Sequence, residues 1–387
     1  MHRIDDNQRR IRLGRRHLLA PSVRADSVVA AADAVVALHA TDAATVFLSA
    51  CARLSEASVE AVEHALYEDV SLVRLLSLRN TLFTMSTDIA PAIDASNARA
   101  VAAKERRTLL KHLREDGNGL DEAWLSATER ETLAVLAARG HASGSELSAA
   151  VPALRTKITV FPGTKQETVQ GVASRVIRVL AADGRIRRGR PRESWTSSQF
   201  RWTPADPWPT SAVAEAQAEV ARRWLRAYGP ATEADLKWWT GWGLRETRKA
   251  LAAADAEEVL LDNGASGWVA PGDVAPDMPL EPWAALLPSL DPSAMGWSDR
   301  SFHLAVSHRT ALFDRAGNIG PTVWWNGEIV GGWAQRADGE PVWRLLSDVG
   351  RDASVLIEAE ASRLSAWVGE ARITPRFRTP LERELTA

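Results

Sequence analysis

Residues 168–190 read TVQGVASRVIRVLAADGRIRRGR, and residues 200–202 read FRW. Val172, Val176, Val179 and Leu180 recur at the spacing of one helix face, so Thr168 to Ala182 predicts an amphipathic helix. Asp183-Gly184 turns the chain into Arg185-Ile186-Arg187-Arg188-Gly189-Arg190, and Phe200-Arg201-Trp202 supplies a returning strand. A helix leading into a basic hairpin is how a winged helix grips duplex DNA, with the helix near the groove and the wing along phosphates.

Around this stretch the pattern repeats. Just upstream, Thr128 to Ala138 predicts a helix opened by a Thr128/Glu131 capping box, and Ser145 to Ala150 a short one. Further upstream, Val28, Ala31, Ala32 and Val35 predict a helix over 27–38. Thr41 or Asp42 then caps a second helix from Ala43 to Arg53. Asp69 to Arg79 reads as a third helix, and Thr81 to Met85 as a strand. Downstream, helices are predicted over 212–228, 233–239 and 244–253, followed by a hairpin around Asn263-Gly264. After Pro271 short β-like runs take over, with a hairpin at Asn326-Gly327 and a closing helix near Asp352 to Trp367. The chain therefore divides into 1–120, 121–208, 209–273 and 274–387: three tandem winged-helix units and a β-rich domain, an α+β fold.

Composition sets the outer limits. The 387 residues exceed one compact core, and 45% hydrophobic with 25% charged residues is an ordinary globular balance. No apolar run is long enough for a bilayer and the N-terminus lacks a signal-like segment, which predicts a cytoplasmic, nucleoid-associated protein with no membrane partner. Cys51 stands alone and the eight histidines are scattered, so no disulfide, metal or cofactor is expected. A net charge of −2 argues against a uniformly basic binder. Local arginine runs occur over 3–24, 104–114 and 185–192. Each is by itself compatible with a solvated face; their recurrence favours duplex DNA as the partner. The candidate DNA contacts are Arg15, Arg16, Arg79, Arg185, Arg187, Arg188, Arg190 and Arg192. Tryptophan, 16 in all, falls almost entirely after residue 190; packing in cores is the simpler use, stacking on bases the other.

Several segments taken in order resemble the AlkZ/YcaQ-type winged-helix DNA glycosylases. They are Arg15 to Leu19, Val36 to Asp42 running into Ala50 to Leu54, Leu78 to Phe83, Leu286 to Pro292, Asn318 to Val323, and Gly331-Gly332-Trp333. The resemblance implies three winged-helix units followed by a β-barrel around a concave DNA-binding surface. It also implies removal of N-alkylated purines, in some members from bulky or crosslinked adducts, leaving an abasic site. The family's catalytic motif, Gln-apolar-Gln or Gln-apolar-Asp, corresponds here to His39-Ala40-Thr41, and Phe83 stands where a histidine is usual. Three residues become catalytic candidates. His39 can act as base or water ligand, Thr41 can hold the water, and Asp42 can stabilise a cationic sugar. The structural alternative makes Thr41 or Asp42 a helix cap and His39 the end of the preceding helix. The expected protein is a monomeric glycosylase; the alternatives are a non-catalytic regulator or lesion sensor, and a glycosylase-like enzyme for another nucleic-acid adduct.

Overall fold

The computed structural model describes residues 2–116 and 118–387, leaving Met1 and Gly117 of the first unit outside. In the first unit, Ser27 caps the helix Val28–Asp33, and Asp42 caps the helix Ala43–Ala52 by accepting from Ala44 N–H. The expected helix over 27–38 stops early because Val36 takes φ 62° and Leu38–His39 pairs as a strand with Thr84 and Phe83. The expected helix over 69–79 is instead the strand Leu72–Leu76, antiparallel to Leu82–Ser86. Its apolar residues Leu72, Val73, Leu75 and Leu76 fit either period, and sheet pairing decides the outcome. The resulting sheet runs in the order Leu38–His39, Leu82–Ser86, Leu72–Leu76.

The second unit has its own core, in which Leu125, Leu136, Leu147, Val176 and Leu180 are buried together with Leu109 and Leu113 from the helix Arg99–Glu115, upstream of the expected boundary at 121. Its long helix is Glu122–Arg139, capped by Asp121, so Thr128 is a mid-helix residue whose hydroxyl bonds Trp124 O. The capping box lies further on, where Ser143 and Glu146 open the helix Gly144–Ala150. Residues 168–171 do not begin a helix. They form the strand Thr168–Gly171 against Lys157–Val160, and the helix is Ala173–Ala182. The basic hairpin follows as anticipated, Ile186–Pro191 pairing with Phe200–Pro204.

The third stretch runs through helices Val213–Tyr228, Glu233–Thr240 and Leu244–Ala253 into the hairpin Glu257–Leu261 and Ser266–Val269. The N-terminal strand His2–Ile4 extends this hairpin in parallel, so the start of the chain lies beside residues 259–261. At the C-terminal end the expected barrel is an open four-stranded antiparallel sheet: Ala284–Leu287, Thr322–Trp325, Glu328–Gln335 and Pro341–Leu345 in that order. Four strands are too few to close with filled interior layers. The helix Gly350–Val368 packs on the sheet instead, adding Ile357 and Leu364 to the core shared with the first and third stretches.

Candidate nucleic-acid interface

The first sheet and the second unit face each other across a cleft of about 1180 Å³. One wall comes from Leu76, Asn80, Thr81 and Leu82, and the other from the helix Ala173–Ala182 and the basic hairpin. Seven arginines line it: Arg74, Arg175, Arg178, Arg187, Arg188, Arg192 and Arg376. Among the described residues only Arg178 of these has a carboxylate partner, Glu105 at 2.8 Å. The others lie on neutral groups or on none; Arg74 donates to the Tyr67 hydroxyl, and Arg188 stacks on Phe200 with its guanidinium carbon 4.0 Å from the ring centre. Burial first, then repulsion from Arg74, Arg376 and Arg178, pushes Arg188 down to about 10. Guanidiniums crowded together without counter-charges form a surface that binds phosphates by releasing counterions.

Thr41 also lines this cleft. The bond from Ala40 N–H to Leu82 O, at 2.9 Å, continues the His39–Phe83 pairing and brings Thr41 opposite Thr81. His39 is turned inward, 5% exposed, with its ring edge-on to Phe83 at 4.9 Å. Its Nδ1 accepts from Thr41 N–H at 3.4 Å, a long bond. Desolvation, reinforced by Arg79, lowers its pKa to about 3, so the imidazole is neutral and weakly basic. Asp42 has both oxygens committed to backbone N–H groups, of Ala44 at 3.1 Å and Arg376 at 3.0 Å. It caps a helix and holds the segment that carries Arg376 into the cleft.

The other arginines read from the sequence are spread more widely. Arg187, Arg188 and Arg192 line the cleft. Arg190, on the same hairpin, is held by Glu63 and Glu68. Arg185 is 3.8 Å from Glu129. Arg16 forks onto Asp273 and Asp277, and Arg15 donates to Met278 O, so both tie the first helix, Asp6–Arg16, to residues 273–278. Arg79 has its guanidinium 4.0 Å from the Trp238 ring centre. Trp239, Trp242 and Trp333 are core residues.

Sequence reading missed Arg74, Arg175, Arg178 and Arg376, together with Asn80 and Glu105. Arg175 and Arg178 were within reach, since they occupy the polar face of the helix whose apolar stripe had been read. Arg376 comes from a segment with no pattern to follow.

No helix among the described residues is long and apolar enough to cross a membrane. Among curated proteins none matches the chain. The solved structure of Streptomyces sahachiroi DNA glycosylase AlkZ superimposes with a TM-score of 0.70 at 21% identity, covering 96% of this chain and 98% of that one. The family described as DNA glycosylase AlkZ-like matches residues 32–367. The chain belongs to the AlkZ-like DNA glycosylase family.

Proposed function

We propose that this protein binds duplex DNA across the arginine-lined cleft and hydrolyses the N-glycosidic bond of an N-alkylated purine, leaving an abasic site. The observation that carries this reading is the set of seven guanidiniums, six without a carboxylate partner among the described residues, that line the same cleft as Thr41. Phosphates neutralise such a set, and the three helix-and-hairpin stretches act as winged helices that present it to the duplex. An N-alkylated purine is already cationic, so it departs with the bond's electron pair as a neutral base and needs no strong acid. The sugar passes through an oxocarbenium-like state that water captures. Thr41 holds that water through its hydroxyl. His39 acts from behind: its Nδ1 accepts from Thr41 N–H, and its ring, buried against Phe83, does not line the cleft.

The test is incubation with duplex DNA carrying N7-methylguanine, followed by alkaline cleavage at abasic sites. Strand breaks at the alkylated position are the expected result. A protein that binds the duplex yet releases no alkylated purine is the non-catalytic binder; the committed oxygens of Asp42 and the buried His39 are what favour that alternative.

A further inference from the structure

Among the described residues that line the cleft, Glu105 carries the only carboxylate. It comes from the helix Arg99–Glu115 and receives both arms of Arg178, at 2.8 and 3.1 Å. Asn80 lines the same cleft. Asn80 follows Arg79 in the turn between the strands Leu72–Leu76 and Leu82–Ser86, and both residues sit in the left-handed region, at φ 58° and 48°. Two adjacent non-glycine residues held there carry backbone strain that the surrounding contacts must offset. The turn places Asn80 beside Thr81, which faces Thr41 across the sheet. Glu105, Asn80 and Thr41 therefore line the same cleft, and the Glu105 side chain remains 21% exposed.

We propose that Glu105 is a catalytic residue that faces C1′ of the target nucleotide, stabilises the oxocarbenium-like sugar and takes the proton of the attacking water. This rests on the excision reading above. The C1′–N bond breaks with its electron pair passing to the alkylated purine, which leaves neutral. The oxygen of the water held by Thr41 forms the new C1′–O bond, and the released proton passes to the Glu105 carboxylate and then to solvent. Atoms and charge balance without a cofactor. Among the described residues Glu105 is the one carboxylate that lines the cleft, and a preorganised anion in such a site acts strongly on a developing cation. The bonds from Arg178 outweigh burial and hold its pKa below the usual carboxylate range, so it is ionised at neutral pH. His39 is buried and Asp42 caps a helix, and neither lines the cleft.

The experiment is single-turnover excision from N7-methylguanine duplex at saturating protein, with DNA affinity and thermal melting measured alongside. Glu105→Gln keeps the shape and loses the charge; excision is expected to fall by ~10²-fold or more, with affinity unchanged or tighter. Glu105→Ala opens space for a small anion, and sodium formate is expected to recover at least ~10-fold of its rate over sodium chloride at equal ionic strength. A purely structural ion pair gives no formate rescue even where the variant melts early, so absence of rescue overturns the proposal. Glu105→Gln excising at the parental rate overturns it too, leaving the excision reading intact. A parent that releases no alkylated purine removes both.

Discussion

At the residue scale, His39 and Asp42 show how far residue type alone carries an argument. The sequence left the helix cap open between Thr41 and Asp42 and offered Asp42 as a catalytic candidate; the structure makes Asp42 the cap, a local role that depends on nothing distant. The sequence could not show that the second Asp42 oxygen receives Arg376 N–H, a contact across more than three hundred residues of chain. His39 read as a base from its ordinary pKa near ~6.5, but pairing with Phe83 turns the ring into the core and lowers that value to about 3. Excision should therefore show no His39 titration between pH 5 and 8, and His39→Ala should lower the rate without changing the shape of the pH profile. An inflection near pH 6.5 that disappears in His39→Ala would restore His39 as the base. Thr41→Val should cost on the order of tenfold in the single-turnover rate, about 1.4 kcal/mol, the scale of one hydrogen bond to a reacting water.

At the element scale, the hairpin Ile186–Pro191 with Phe200–Pro204 was legible because its turn signal, its returning aromatic strand and the preceding helix are all local. Which of its arginines are free was not legible. Arg190 finds Glu63 and Glu68 on or just beyond the helix Val59–Tyr67, and nothing near Arg190 in sequence announces them. The strand Leu72–Leu76 was lost for a related reason: its partner strand, not its own pattern, selects the extended form. The hairpin should consequently divide on mutation. Replacing Arg187, Arg188 and Arg192 together with Ala should weaken duplex binding for every sequence and flatten the log–log salt slope by up to ~0.9 per lost phosphate contact. Arg190→Ala should leave the slope nearly unchanged. Fluorescence anisotropy across a salt series reads both, and equal slopes for parent and triple variant would make the hairpin an ordinary solvated surface.

At the scale of the whole molecule, segments whose sequence signals were separately modest meet in one buried network. Arg53 and Asp291 form an ion pair with both side chains 0% exposed, at 2.8 and 2.9 Å. Ser49 donates to Asp291 Oδ2, and Ser293 N–H to Oδ1. His17 closes the set: its Nε2 lies 3.1 Å from Ala227 O, which can only accept, so Nε2 carries the proton and Nδ1 accepts from the Ser293 hydroxyl. The network thus ties the first helix, the helix Ala43–Ala52, the end of the helix Val213–Tyr228 and the segment after the strand Ala284–Leu287 into one body, against which the second unit with its separate core forms the cleft. A buried pair of this kind is weak evidence of net stabilisation but expensive to break on one side. Asp291→Ala, leaving Arg53 without a counter-charge, should lose ~3–5 kcal/mol in urea unfolding. Arg53→Met combined with Asp291→Leu should recover part of that loss. Acid should act on the same junction. Burial, then Arg53, lowers His17 to about 3, while an unfolded chain takes up that proton near ~6.5. Between those values the unfolded state binds more protons, so the contribution is fully present above pH ~6.5, declines as pH falls and is gone below about 3. His39, lowered to about 3, and His303, pushed well below its usual range, add to the same limb. Asp291, which Arg53 holds below the usual carboxylate range against the cost of burial, contributes above ~3.9 and is lost only at the acid end. The urea midpoint should therefore be level at pH 7–8 and start to fall near pH 6.5, well before carboxylates titrate. A midpoint that stays level down to pH 4 would mean that these imidazoles are protonated in the folded protein and that the junction is open to water.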